Sequence, residues 1–223
     1  MKIRYLAALL AATAAVPAFA QDGNFSGVRG EVRVGWDSAG VDATFPDPDD
    51  ADETLSVDND DDAIAYGAEI GYDLQLGDNF VIGAYGGLDF SQAELCGEVL
   101  GDDLGCVETG RNLTAGLRAG FVLGESVLVY AKGGYSNGRL RFDYDGDVED
   151  DDNDLVAFNR NRGGYHLGGG FEVALNPNLY VKAEYVYTDY GSFDYAFGDE
   201  DDPLTARIGA NRHQALAGIG FRF

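Results

Sequence analysis

The sequence predicts an all-β fold, an eight-stranded, up-and-down antiparallel barrel that crosses a membrane, preceded by a cleaved signal peptide. Three observations predict it. Apolar and polar side chains alternate with a period of two over eight segments of about ten residues, the pattern of a strand with a different solvent on each face. The connections between segments alternate between short and long. Glycine is common, at 32 residues, and dispersed through the alternating segments, which argues against helices, where each costs about 1 kcal/mol relative to alanine.

The amino terminus gives the address. Lys2 and Arg4 precede an apolar run, residues 5–16, and Ala18-Phe-Ala20 supplies small residues for a signal peptidase. The run falls short of the roughly 20 residues of a membrane helix. Residues 1–20 are therefore read as signal peptide and 21–223 as one barrel domain. Losing Lys2 and Arg4 leaves thirteen basic residues against thirty-nine acidic ones, taking the formal charge from -24 to -26. Such a chain excludes nucleic acid as a partner.

The strands follow in order. Residues 26–36 put Val28, Val32, Val34 and Trp36 outward and Arg29, Glu31 and Arg33 inward. Residues 63–73 show Ile64, Tyr66, Ala68, Ile70 and Tyr72, with Glu69 and Asp73 inward; 80–90 show Phe80, Ile82, Leu88 and Phe90, with Asp89 inward. Residues 112–122 expose Leu113, Leu117 and Phe121 and hide Arg118; 126–137 expose Val127, Val129 and Tyr135 and hide Lys132. Residues 164–174 alternate Tyr165, Leu167 and Phe171 against His166 and Glu172; 179–190 alternate Leu179, Val181, Tyr185 and Tyr187 against Lys182 and Glu184. The last strand, from about 211 to 223, carries Ala215, Ala217, Ile219, Phe221 and Phe223 outward, with Arg212 assigned to the lumen.

Turns at 74–79, 123–125 and 175–178 are short, whereas the connections at 37–62, 91–111, 138–163 and 191–210 are long. That asymmetry predicts periplasmic turns and termini and extracellular loops. Tyr72, Phe80, Tyr130, Tyr180, Tyr185, Tyr187 and Tyr190 are placed as interfacial girdles.

With the signal peptide and the eight strands, the segments Tyr130-Ala-Lys-Gly-Gly-Tyr-Ser-Asn137 and Val181-Lys-Ala-Glu-Tyr-Val-Tyr-Thr-Asp-Tyr-Gly191 and the run from His213 to Phe223 resemble the opacity-type, OmpA-like porin-family barrels of proteobacteria over essentially the whole mature chain. The resemblance implies an integral protein of the bacterial outer membrane and a carboxy-terminal insertion signal, Phe221 and Phe223, read by the barrel-insertion machinery. Its implied partners are that machinery, periplasmic chaperones, outer-membrane lipid and lipopolysaccharide. The chain departs from full-length OmpA-like proteins in stopping at strand eight, so no peptidoglycan-binding domain is expected. A monomer is expected.

Six inward cations, Arg29, Arg33, Arg118, Lys132, Lys182 and Arg212, face six inward carboxylates, Glu31, Glu69, Asp73, Asp89, Glu172 and Glu184. An eight-stranded lumen is just wide enough for side chains to fill, so these charges are expected to pair as a packed polar plug; a gated small conductance is the alternative. His166 and His213 are the only histidines, and neither has a sequence-identifiable orienting partner, which argues against an enzyme. Cys96 and Cys106, with nine residues between them in an exported protein, predict a disulfide rather than a metal site, because no further ligand accompanies them.

The long connections hold most of the acid. The first carries Asp47, Asp49, Asp50, Asp52, Glu53, Asp58, Asp60, Asp61 and Asp62 without Lys or Arg, the third Asp143, Asp145, Asp147, Glu149, Asp150, Asp151, Asp152 and Asp154, and the fourth Asp199, Glu200, Asp201 and Asp202. A solvated acidic surface is expected. Asp143, Asp145 and Asp147 form an incomplete calcium-loop pattern, so no resident cofactor is expected beyond loosely held calcium or magnesium. The function expected is a structural, surface-exposed barrel contributing to envelope integrity and adhesion; the alternative is a small cation-preferring porin.

Overall fold

The computed structural model describes residues 25–46, 54–91, 94–100, 103–145, 158–197 and 204–223. Among them run nine strands: β1 (Gly27–Pro46), β2 (Thr54–Leu76), β3 (Phe80–Ser91), β4 (Glu94–Leu100), β5 (Asp103–Leu123), β6 (Val127–Asp145), β7 (Phe158–Ala174), β8 (Leu179–Phe197) and β9 (Leu204–Arg222). Every pairing is antiparallel, in the order β3-β2-β1-β9-β8-β7-β6-β5-β4. Both β3 and β4 pair with β5, at Phe80–Phe90 and Glu94–Leu100 respectively. They form one barrel stave in two pieces, and the β3–β5 pairing closes an eight-stranded barrel.

The seam between first and last strand runs from Arg29–Arg222 to Thr44–Arg207. The Phe223 amide donates to the Val28 carbonyl at 2.8 Å, and the Arg222 amide to the Asn178 carbonyl at 2.7 Å. The last two residues thus tie the end of the chain to both the first strand and the β7–β8 turn. Two of the three short turns carry a glycine with positive φ, Gly77 (65°) and Gly124 (67°), where a side chain would be strained.

The strands outrun the sequence expectation at the long-loop end. Expected strand ends were placed where apolar alternation stops, which marks the membrane edge and not the end of the ladder. β1 and β2 stay paired out to Pro46–Thr54, and β5 and β6 out to Leu104–Asp145. Backbone pairing does not need an apolar face, so the ladder continues through acidic sequence, with Asp60 and Asp62 exposed on it. Asp58, Asp60, Asp61 and Asp62 are therefore strand residues and not loop residues. So are Asp143 and Asp145, placed on an extended strand and not in a loop; Asp147 lies outside the described residues. The signal peptide and the remaining loop acids, at 47–53, 149–154 and 199–202, lie outside them as well.

The outer face is apolar in water-exposed terms: Val32, Ile64, Ile70, Leu117, Leu167 and Phe171 are each more than half exposed. The barrel has turned its hydrophobic residues outward and its charges inward, the arrangement of a protein solvated by lipid. A soluble domain would do the reverse.

Candidate functional site

The inward face of the barrel is the candidate site, and period two builds it. Because successive side chains alternate faces, β1 delivers Arg29, Glu31, Arg33 and Asp37 to the lumen, β2 Glu69 and Asp73, β8 Tyr180, Lys182 and Glu184, and β9 Arg212 and Arg222, all buried. Glycines on the same face leave the room. A Cβ on Gly220 would collide with the Tyr180 ring, and one on Gly116 with the Tyr85 hydroxyl.

At the short-turn end lies an apolar base of Phe25, Val81, Val122, Leu128 and Tyr130. Arg222 stacks 5.2 Å from the Phe25 ring. Above it Arg118 meets Asp73 at 2.5 Å and Glu172 at 3.1 Å, while Arg222 reaches the same two carboxylates at 3.2 and 2.7 Å. The next layer joins Arg29 to Glu69 at 2.7 Å and to Asp73 and Glu31 at 3.2 Å. Lys182 contacts Glu31 and lies 3.0 Å from Glu184. Lys132 lies 2.7 Å from Glu69 and 4.2 Å from the Tyr85 ring centre.

Arg33 is the hub. Its Nε and Nη2 each donate to Asp89 at 2.7 Å, and its Nη1 donates to Glu69 at 2.7 Å and Glu184 at 2.9 Å. Near the long-loop end Arg212 donates to Asp37 through Nε at 2.5 Å and Nη2 at 2.9 Å, and Ser91 donates to the same carboxylate.

All twelve lumen charges expected from the sequence are buried here, and two more join them. Asp37 was assigned to a loop because β1 was ended at Trp36, and Arg222 was left uncounted beside the terminal aromatics. Together they make seven buried cations and seven buried carboxylates, a formally neutral column. Glu31, Glu69 and Glu184 bring one oxygen each within 4.8 Å of one another, and Arg29, Arg33, Lys132 and Lys182 lie against them as counter-charges.

The girdle expectation is corrected at three positions. Tyr130 donates to Glu184 at 2.9 Å and Tyr180 to Glu31 at 2.8 Å, both from inside the barrel, and Tyr190 sits on the inward parity beside Arg212. Tyr72 and Tyr185 do face outward. The reading that neither histidine has a partner is also corrected: His166 is held between the Tyr85 hydroxyl at 2.5 Å and Ser136 Oγ at 2.8 Å, and His213 meets the Tyr185 hydroxyl at 2.5 Å. Ser136 and Tyr185 reach the histidines from the adjacent paired strands and Tyr85 from β3 across the lumen, so only the assembled register reveals them. The side chains of Cys96 and Cys106 lie outside the described residues; the backbone register sets the two cysteines directly opposite each other across β4 and β5.

The model of the outer membrane protein beta-barrel domain family matches residues 6–223. The 31 kDa outer-membrane immunogenic proteins of Brucella melitensis and Brucella suis are each 28% identical over 163 residues, 70% of this chain. The matched stretch spans 65% of those relatives' own length. Among solved structures, the outer membrane protease OmpT of Escherichia coli aligns with a TM-score of 0.50 at 11% identity, covering 93% of this chain and 99% of OmpT. OprG of Pseudomonas aeruginosa aligns at 0.49 and 14% identity, over 89% of this chain and 97% of OprG. The likeness to OmpT is one of fold alone. The alternating strands, closed sheet, apolar exterior and matching family model together lead to one conclusion: the chain belongs to the outer membrane protein beta-barrel domain family.

Proposed function

We propose that the protein is a structural, surface-presenting barrel of the outer membrane that neither conducts through its lumen nor catalyses a reaction there. The observation that carries this reading is the neutral column of seven cations and seven carboxylates above an apolar base. In an eight-stranded lumen the side chains fill the interior. Short turns and both termini face the periplasm in this reading, and the paired strand extensions lift the acidic connections from the cell surface. There they serve envelope integrity and adhesion and concentrate divalent cations as a field effect. The name of the Brucella relatives, outer-membrane immunogenic protein, fits such surface exposure.

His166 supports the non-catalytic reading, because it and its partner Ser136 are buried in the column, away from any bulk substrate. Planar-bilayer recording of the refolded barrel is expected to give no channel steps. A steady cation-selective conductance would establish the porin reading instead.

The cysteine register supports a second expectation. Residues directly opposite in an antiparallel pair have Cα atoms about 4.5 or 5.5 Å apart, within the usual disulfide range. Cys96 and Cys106 of the exported protein are expected to resist thiol alkylation until a reductant is added. Mass spectrometry showing two alkylated thiols without reductant would exclude the bridge.

A further inference from the structure

The outward face carries one feature that neither the packed lumen nor the acidic rim explains. Across the barrel wall a row of laterally paired residues runs Ala217–Val34–Tyr66–Phe90–Arg111. Its first part lies in a groove of about 680 Å³ on the lipid side, walled by Val32, Val34, Ala68, Ala217 and the Tyr66–Phe90 pair. Those two rings stack at 5.8 Å. Small residues on β2 and β9 beside bulky ones make the wall concave. The row then leaves apolar chemistry abruptly, since Phe90 is paired directly with Arg111.

Arg111 does not stand alone there. The β5–β6 register shifts between Thr109 and Asn112, so Gly110 and Arg111 together oppose Arg139. Arg111 and Arg139 both continue the outward parity of Leu113 and Tyr135, so the register sets the two arginine positions side by side on the outer face at the long-loop edge of the apolar band. Arg139 is exposed and Arg111 half-buried, with its Nε buried and without a hydrogen-bond partner. Tyr135 and Tyr165, both more than half exposed, flank the pair on the membrane side. On the same outward face of β1 and β2 the corresponding height carries exposed Asp42, Asp60 and Asp62. The positive sector is therefore local, in a chain whose net charge is -24.

We propose that this sector is a lipid site: Arg111 and Arg139 hold the phosphate of an anionic outer-leaflet lipid, and the adjoining groove takes one of its acyl chains. Guanidinium groups suit phosphate because their parallel N–H donors match its oxygens. An apolar groove running up to a charged pair matches a molecule that is itself apolar at one end and anionic at the other. The assignment rests on the membrane-spanning reading above.

Trp36 is the only tryptophan and is partly exposed, two residues along β1 from Val34 on the same outward face. Its fluorescence reports lipids in the groove when their acyl chains carry bromine, which quenches by contact. The barrel is refolded into phosphatidylcholine vesicles containing a minor fraction of phosphatidic acid, with bromine on one lipid or the other. Brominated phosphatidic acid is expected to quench roughly tenfold more effectively per molecule than brominated phosphatidylcholine, given two arginines near the surface. The double variant Arg111→Gln, Arg139→Gln should lose this preference while keeping the quenching by phosphatidylcholine. Arg111→Lys with Arg139→Lys should retain most of it. An unchanged preference in the glutamine variant overturns the assignment. Equal quenching by the two brominated lipids, with inorganic phosphate protecting Arg111 and Arg139 from an arginine-directed reagent, overturns the lipid version in favour of a free-anion site. Absence of quenching by either lipid overturns the membrane reading itself, a distinct result from loss of selectivity alone.

Discussion

Arg33→Ala is expected to destabilise the folded barrel by about 3–5 kcal/mol, the range seen when one partner of a buried ion pair is removed. The reason is the number of carboxylates that one guanidinium serves. Arg33 satisfies both oxygens of Asp89 and also donates to Glu69 and Glu184. Lys132 remains near the two glutamates, so they keep a counter-charge. Asp89 loses its bidentate partner. Arg33→Lys should fall in between, because an ammonium group is a compact charge that cannot reproduce a planar fork. Combining Arg33→Met with Asp89→Asn should recover part of the loss, since it removes both members of the pair. Urea titrations of the refolded barrels, followed by tryptophan fluorescence, measure these differences. An unchanged midpoint for Arg33→Ala would mean that water solvates the lumen carboxylates, and with that the packed-plug reading fails.

The physics of alternation also explains what was legible in the sequence. A charged residue inside an otherwise outward-apolar strand has only one face left to occupy, which is why twelve lumen charges could be named from parity alone. Tyrosine gives no such signal. Its ring suits lipid and its hydroxyl suits a carboxylate, so Tyr130 and Tyr180 were assigned to the girdle although each shares the parity of a neighbouring lysine, Lys132 and Lys182. Parity was the better guide there. Asp37 was lost for a different reason: the ladder continues past the membrane edge, and apolar alternation reports only the edge. The partners of His166 were not legible by any local rule, because Ser136 depends on the β6–β7 register and Tyr85 lies on β3, which only closure of the sheet brings across the lumen. Arg111 and Arg139 keep the outward parity of Leu113 and Tyr135, and escape the sequence reading because apolar alternation ends the two strands at 112 and 137, one or two residues short of them.

Leu117→Arg tests the outer face as Arg33→Ala tests the inner one. Leu117 lies midway along the apolar part of β5, residues 112–122, paired with Ala84 on one side and Gly133 on the other, and is 69% exposed. In water, replacing so exposed a leucine by arginine would change stability by no more than about 0.5 kcal/mol. In a bilayer, arginine at the midplane of a barrel's lipid face costs about 2–4 kcal/mol. The two solvents therefore predict different outcomes for one substitution. Asn161→Arg, also on an exposed outward position but at the long-loop edge, supplies the depth control, because the cost falls to about 0–1 kcal/mol near the interface. Refolding in lipid vesicles should show a large loss for Leu117→Arg and little for Asn161→Arg. Equal, small effects at both sites would mean that Leu117 does not face hydrocarbon, and the outward apolar band would then have to be covered by protein.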